Sequence, residues 1–345
     1  MNNLSKIFTL AATLTLAAGC DAEPELGDVD GDSDIAFRPS GPSGVRFNGQ
    51  LINDFDYDMV HLGGKFYEGI ELSKVCLRPP KYGNDEFCLI PTKDRIWVQG
   101  TEFFGHKKEY GMTFNGIDFA GSRWFMKIDA DGDGVLDSKV VLNIDSVKEQ
   151  TTPQGDKYWG YLWTYFTYEL AGPIAKDVEQ QKKAVPTCEV DPDTGSMETV
   201  LSRDLHVDMT TGDFSEVPDT VFIGCMKGAV SKAQAYWGYL QDSFGYKYVE
   251  MVVRNVRADY CGTGLSHTED GTPTQQEDKF GMNKFVDPSR QTEAHWDFGV
   301  GAVCLYEPRH PDVDYEKIYS ECGIPKCDPA ADLSQTGAQM HSKIW

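Results

Sequence analysis

The chain has 345 residues, nine cysteines and a formal net charge of −22 at pH 7. A surface this acidic repels phosphate backbones, which excludes nucleic acid as an expected partner. The length is sufficient for two domains with hydrophobic cores of their own.

The first twenty residues predict a bacterial lipoprotein signal. Lys6 precedes an apolar run from Ile7 to Ala18, and residues 16–20 read Leu-Ala-Ala-Gly-Cys. The run is shorter than the roughly 20 residues that span a bilayer, but it suits a cleaved signal peptide. After cleavage, Cys20 would carry a diacylglycerol thioether and a palmitate-type acyl chain on its amino group, and several chains anchor a protein stably. The alternative is an ordinary secretory signal in which Cys20 is incidental.

The predicted organisation therefore begins with a signal peptide over residues 1–19 and an acidic, flexible tether over residues 20–44. We expect a lipid-anchored protein of the cell envelope, on the periplasmic or the cell-surface side of either membrane. Its expected partners are the membrane, through the anchor, and a protein or glycan of the envelope. Alternating aspartates in the tether could bind calcium, but a self-repelling linker is the favoured interpretation. They are Asp28, Asp30, Asp32 and Asp34.

Residues 45–215 predict a β-rich domain with a sandwich or barrel-like sheet. Short aromatic or β-branched segments alternate here with Gly, Asp and Pro turns. The polar segment 175–185 is compatible with a helix or an exposed loop. The predicted strands cover residues 60–62, 66–70, 86–90, 95–98, 124–128, 140–144, 159–166 and 200–207.

Residues 216–345 predict a smaller, disulfide-stapled domain with two amphipathic helices, so the expected fold class is α+β. The apolar stripes recur every three or four residues. The first contains Met226, Val230, Ala233, Trp237 and Leu240. The second contains Val249, Val252, Val253, Val256 and Tyr260. Glu250, Arg254 and Arg257 lie on the opposite face of the second helix.

The cysteines after Cys20 form an even set, which in an exported chain predicts disulfides. They are Cys76, Cys88, Cys188, Cys225, Cys261, Cys304, Cys322 and Cys327. Loop lengths suggest four pairs as candidates: 76 with 88, 322 with 327, 188 with 225, and 261 with 304. A structural zinc site is less favoured, because no C-x-x-C spacing and no paired histidines occur.

A calcium-type loop is predicted at residues 129–137. Oxygen ligands stand at its first, third, fifth and ninth positions, a glycine at its sixth permits the sharp turn, and the seventh offers a backbone carbonyl. The candidate ligands are Asp129, Asp131, Asp133, the carbonyl of Val135, and Asp137. Position twelve is Val140 instead of the bidentate glutamate of an EF-hand, so affinity should be weak. A metal-free Asp/Gly turn is the alternative.

A further motif follows the second helix. Residues 257–262 read Arg-Ala-Asp-Tyr-Cys-Gly, and 264–272 add Gly264, Ser-His-Thr and Asp-Gly-Thr. This string resembles the ADYC domain, a family of exported bacterial proteins named for those four residues. The resemblance extends to Gly224-Cys225, to Trp-Gly-Tyr at 237–239 and to Gly-Ala-Val-Cys at 301–304. It covers roughly residues 219–310, and the preceding β-rich part more loosely.

The chain departs from the family pattern at Ala233 and Met251, where the family often carries a cysteine in each helix. Loss of both would fit one missing disulfide. The resemblance implies little about activity, because the family is a domain of unknown function.

The ADYC segment also contains the residue types of a thiol hydrolase. Cys261 would be the nucleophile and His267 the base. In the favoured structural interpretation Cys261 is bridged, Gly262 caps the helix, Asp259 and His267 satisfy backbone groups, and Asp270-Gly271 is a turn. The expected function is therefore a non-catalytic binding or structural protein with a structural calcium site, and the alternative is a hydrolase using Cys261 and His267.

Overall fold

A computed structural model describes residues 45–169 and 185–345 of the chain. The predicted signal peptide, the tether and residues 175–184 of the polar segment lie outside the described residues. Within them, the β-rich α+β fold expected from the sequence is confirmed. No helix in these ranges is long and apolar enough to cross a membrane.

The strands, in chain order, have the following bounds. They are β1 (Val45–Phe47), β2 (Met59–His61), β3 (Ile70–Leu77), β4 (Phe87–Leu89), β5 (Arg95–Gln99), β6 (Glu102–Lys107), β7 (Met112–Asn115), β8 (Ser122–Ile128), β9 (Ser138–Thr151), β10 (Lys157–Glu169), β11 (Val185–Pro186), β12 (Thr199–Val207), β13 (Phe214–Cys225), β14 (Pro273–Asp278), β15 (Thr292–Asp297), β16 (Gly301–Leu305) and β17 (Met340–Ile344).

Helices occupy little of the part of the chain that the structure describes. They are α1 (Ala229–Ser231), which continues as a π-helical turn (Lys232–Tyr236), α2 (Gln241–Phe244), α3 (Tyr246–Arg257), α4 (Tyr315–Cys322), α5 (Leu333–Thr336) and the 3-10 turns Pro80–Tyr82 and Gly116–Phe119.

The strands form three antiparallel sheets. The largest has nine strands, in the order β2-β13-β12-β10-β9-β8-β3-β4 with β11 on β10, and a three-stranded sheet has the order β5-β6-β7. Their alternating apolar side chains share one core. At its centre Phe103 lies 4.8 Å from Trp124 and 5.2 Å from Tyr161, ring centroid to centroid. Fully buried aromatic rings carry much of the burial energy of such a core.

A second, five-stranded sheet has the order β1-β14-β17-β15-β16. It joins the first and last described segments, because β1 pairs with β14 and β14 with β17. Helix α3 contacts β13 of the large sheet and also β15 and β16. It therefore lies between the two sheets, with both of its faces covered.

Several sequence predictions need correction. Residues 66–70 form a turn closed by a bridge from Tyr67 to Ile70, and the strand begins only at Ile70. The first amphipathic stripe is buried as predicted, but its helix ends at Tyr236 because Gly238 adopts a φ of 94°. The boundary predicted at residue 215 lies within β13, and the described residues belong to one compact unit.

Candidate functional site

The ADYC motif begins where α3 ends. Ala258 takes the left-handed conformation that stops the helix, with a φ of 50°. The residue that caps the helix is therefore Ala258. The prediction that Gly262 caps it is wrong. Left-handed alanine is unfavourable by itself, so the contacts of the following residues must hold it. These contacts make the motif a structural corner between α3 and the five-stranded sheet.

Asp259 supplies the first of these contacts. Its buried carboxylate accepts hydrogen bonds from the backbone N–H groups of Thr263 (3.0 Å) and Gly264 (2.9 Å), as predicted. It also pairs with Arg254 at 2.9 Å. Arg254 is itself buried and binds Glu250 and Asp213. The polar face of α3, which the periodicity placed opposite the core, is thus inside the protein.

Tyr260 lies in a second buried polar network. Its hydroxyl donates to Glu293 Oε1 at 2.8 Å and accepts from the backbone N–H of Arg309. Arg309 Nε lies 2.5 Å from the same glutamate oxygen, and its remaining nitrogens donate to Asn48 (2.7 Å) and Asn255 (2.6 Å). The network connects α3, β15 and the segment after β1. Buried charges of this kind are tolerated because each is paired and hydrogen-bonded.

Cys261 forms a disulfide with Cys322, the last residue of α4. A sulfur bonded to another sulfur is not a thiolate, so this state offers no nucleophile at Cys261. His267 Nδ1 lies 3.1 Å from the carbonyl oxygen of Ala258, and Nε2 lies 3.2 Å from Glu321. The histidine thus satisfies a backbone group, as the structural interpretation predicted. Asp270-Gly271 is a turn, since Thr272 N–H bonds the carbonyl oxygen of Glu269.

All eight cysteines predicted to pair are in disulfides, but two of the pairings differ from the prediction. The pairs 76–88 and 188–225 are confirmed. The expected 261–304 and 322–327 pairs are wrong, and the observed bonds join 261 to 322 and 304 to 327. Loop length favoured a short disulfide between Cys322 and Cys327. Instead, Cys322 ends α4. Cys327 follows Lys326, whose backbone pairs with Leu305, the residue next to Cys304.

The calcium-type loop joins β8 to β9, as predicted. One carboxylate oxygen from each of Asp129, Asp131 and Asp133 lies within 4.8 Å of the others. Asp129 also accepts backbone N–H groups of residues 132–134, which shapes the turn. Asp137 is not part of this trio; its Oδ1 accepts the N–H of Ala130 at 3.2 Å. Val135 is exposed. Three convergent carboxylates fit a hard cation, and the full predicted ligand set is not brought together.

Two polar sites were missed by the sequence analysis. His295 and His341 stack in the five-stranded sheet with ring centroids 4.1 Å apart. Lys232, on the π-helical turn, is buried against Asp191 and Asp193. One indication of the Lys232 site was present in the sequence, because this lysine lies between Val230 and Ala233 of the first apolar stripe. Periodicity shows which positions face inward but not which polar groups meet there.

The surface offers two features suited to binding. Phe280 and Phe298 are exposed and contact the ring of Tyr248 at 5.2 and 5.9 Å. Separately, an open depression of about 410 Å³ is lined by Tyr306, Tyr315, Lys326 and other residues of the segment 306–315.

The ADYC domain family model matches residues 116–311, which is more than half of the chain. The match begins well before the 219–310 range of the sequence resemblance and includes much of the nine-stranded sheet. Comparison with curated proteins gave no match, nor did comparison with solved structures. The motif of Ala258, Asp259, Tyr260 and Cys261 is the feature for which the family is named, and the chain belongs to the ADYC domain family.

Proposed function

We propose that this protein is a lipid-anchored protein of the bacterial envelope with a binding or structural role and no catalytic one. The observation that carries the proposal is the use of its cysteines. Eight of the nine form four disulfides, which persist in oxidising compartments outside the cytosol. The ninth is Cys20, at the position where a lipoprotein signal carries its acyl chains.

The chemistry of the ADYC motif supports the non-catalytic role. Its acidic, aromatic and cysteine side chains are each engaged in a structural contact: Asp259 with Arg254, Tyr260 with Glu293, and Cys261 with Cys322. The hydrolase alternative requires a free thiol at Cys261 close to His267. The exposed aromatic side chains at 280 and 298 support a binding role, because both contact the ring of Tyr248 and contiguous exposed apolar patches mark interaction sites.

Lipid attachment is tested by metabolic labelling with an alkyne fatty acid, followed by membrane fractionation. We expect the wild-type chain to be labelled and to sediment with membranes. Cys20→Ser should lose the label and become extractable without detergent, because the acceptor sulfur is gone. Asp21→Asn is the matched control and should keep the label. An unlabelled wild-type chain would contradict the proposal.

We also propose that the loop at residues 129–137 binds calcium in a structural role. The trio of Asp129, Asp131 and Asp133 supports this, since three carboxylates this close repel one another unless a cation or protons compensate them. A bound cation would hold the β8–β9 connection in one conformation. The residues suited to hold it are these three and the carbonyl of Val135.

Calcium binding is tested by thermal unfolding at 0 and 10 mM CaCl₂. Extracellular sites have dissociation constants of about 10⁻⁴ to 10⁻³ M, so 10 mM calcium should stabilise the protein by about 1.5–3 kcal/mol, or a few degrees. Asp131→Ala with Asp133→Ala should abolish this shift. Asp28→Ala with Asp30→Ala, in the predicted tether, should retain it. An equal calcium response in both double variants would refute a site at this loop.

A further inference from the structure

Lys232 is an amine buried between two carboxylates. Its side chain is 1% exposed, and Nζ lies 2.9 Å from Asp191 Oδ1 and 2.5 Å from Asp193 Oδ2. The third neighbour of Nζ is the carbonyl oxygen of Asn48 at 3.0 Å. Asp191 is fully buried and Asp193 nearly so. One cation facing two anions leaves an excess negative charge in the interior, which is costly unless a proton neutralises it.

The backbone holds the three side chains in place. Lys232 begins the π-helical turn after α1. The two aspartates lie in the loop between the disulfide-bonded Cys188 and β12, and that disulfide ends at Cys225, just before α1. Amine and carboxylates are therefore positioned from both sides by rigid elements, as a reaction between neighbouring groups requires.

The two carboxylates are not equivalent. Asp191 Oδ2 accepts from the N–H (3.0 Å) and hydroxyl (2.6 Å) of Thr194, which fixes the direction of its carboxylate. Asp193 has no such anchor: its Oδ2 accepts from Lys232 alone among the described hydrogen bonds. Burial raises the pKa of Asp193, and the charge of Lys232 offsets this only in part. Asp193 is thus the less constrained carboxyl, and Asp191 is held beside the amine, where it can accept a proton.

We propose that Lys232 and Asp193 condense into an amide cross-link, with Asp191 accepting the proton of the amine. Lys232 Nζ gives a proton to Asp191 and the neutral amine attacks Cγ of the protonated Asp193 carboxyl. The C–N bond forms, the C–O bond to the hydroxyl breaks, and the hydroxyl leaves as water with the second proton that the nitrogen loses. The net change is one ammonium, one protonated carboxyl and the Asp191 carboxylate converted to one amide, one water and a protonated Asp191. No oxidant, metal or cofactor takes part.

The cross-link would replace two buried charges with a neutral amide and tie the 188–198 loop to the helical segment. This modification site is independent of the lipid anchor and of the calcium loop. It would add a fifth covalent staple to the four disulfides, and reductants would not break it.

The test is mass spectrometry of a tryptic digest of the full chain, purified from the envelope and reduced and alkylated. We expect a branched peptide in which residues 184–203 are joined to residues 228–247, with a mass 18 Da below the sum of the two. Trypsin would not cleave after Lys232, because the amide removes its charge. Fragment ions must place the junction at Lys232 and Asp193, since a succinimide formed at an aspartate also loses 18 Da. Complete cleavage after Lys232 with two unmodified peptides would overturn the proposal.

Variants distinguish the two joined residues, Lys232 and Asp193, from the proton acceptor, Asp191. Lys232→Arg and Asp193→Ala should yield no branched peptide, and the near-isosteric Asp191→Asn should reduce its yield at least tenfold by removing the proton acceptor. Lys227→Arg is the matched control: Lys227 pairs with Glu189 near the surface, five residues before Lys232, and its replacement should leave the branched peptide at wild-type yield. A branched peptide that persists in Asp193→Ala would also refute the assigned junction.

Discussion

Acidification from pH 7 to pH 4.5 is expected to lower the free energy of unfolding by about 5 kcal/mol through one pair of buried histidines. His295 and His341 are stacked in the interior, and neither Nε2 has a hydrogen-bond partner among the described residues. Burial lowers the pKa of His295 to about 4. Burial, with the charges of His295 and Lys343, lowers the pKa of His341 to about 3. An imidazolium cannot be solvated there.

Acidification lowers the free energy of unfolding because the histidines bind protons more tightly in the unfolded chain than in the folded one. Above pH 6.5 both rings are neutral in the folded and the unfolded chain, and stability is complete. Below it the unfolded chain takes up protons while the folded chain resists until about pH 4, so stability falls by about 1.4 kcal/mol per pH unit for each ring. Asp58 acts in the opposite direction, because burial raises its pKa to about 6. A variant comparison is therefore needed to isolate the histidines.

The measurement is urea unfolding of the wild type and of His295→Phe with His341→Phe at both pH values. The double variant keeps the flat rings and removes the titrating groups, so its loss of stability on acidification should be smaller by about 3–5 kcal/mol. His106→Phe, on half-buried β6, controls for the substitution itself. Equal losses in the wild type and the double variant would contradict the role of the pair.

Replacing Arg309 with methionine is expected to cost about 3–5 kcal/mol of stability. Its guanidinium is fully buried, pairs with Glu293 and also holds Asn48 and Asn255. Arg309→Met leaves the Glu293 carboxylate buried without a counter-charge, and that uncompensated charge accounts for most of the penalty.

A double-mutant cycle distinguishes this cost from lost packing. Arg309→Met with Glu293→Met removes both charges and should recover most of the stability lost in the single variant. Arg290→Met is the control, because Arg290 forms a half-exposed pair with Asp287, and surface pairs contribute about 0–1 kcal/mol. If Arg309→Met cost no more than Arg290→Met, the buried network would not stabilise the fold.

Local patterns in the sequence determined much of the architecture. Short aromatic or β-branched segments between turn residues predicted β2, β4, β5, β8, β9, β10 and β12, because those residue types favour strands. The stripe ending at Tyr260 predicted α3. The 76–88 disulfide also followed from sequence, because both cysteines face each other across a hairpin-sized connection. The ADYC motif identified the family.

The tertiary structure decided what local patterns do not contain. The polar face of α3 is buried because the connection between β12 and β13 and the segments at Gln50 and Gly264 cover it, and a helical period cannot show what lies opposite a face. The 261–322 and 304–327 disulfides depend on where α4 and the following segment dock. The histidine pair and the Lys232 cluster each join residues that are far apart in sequence. Such contacts arise only when the chain folds, since no short-range spacing relates their members.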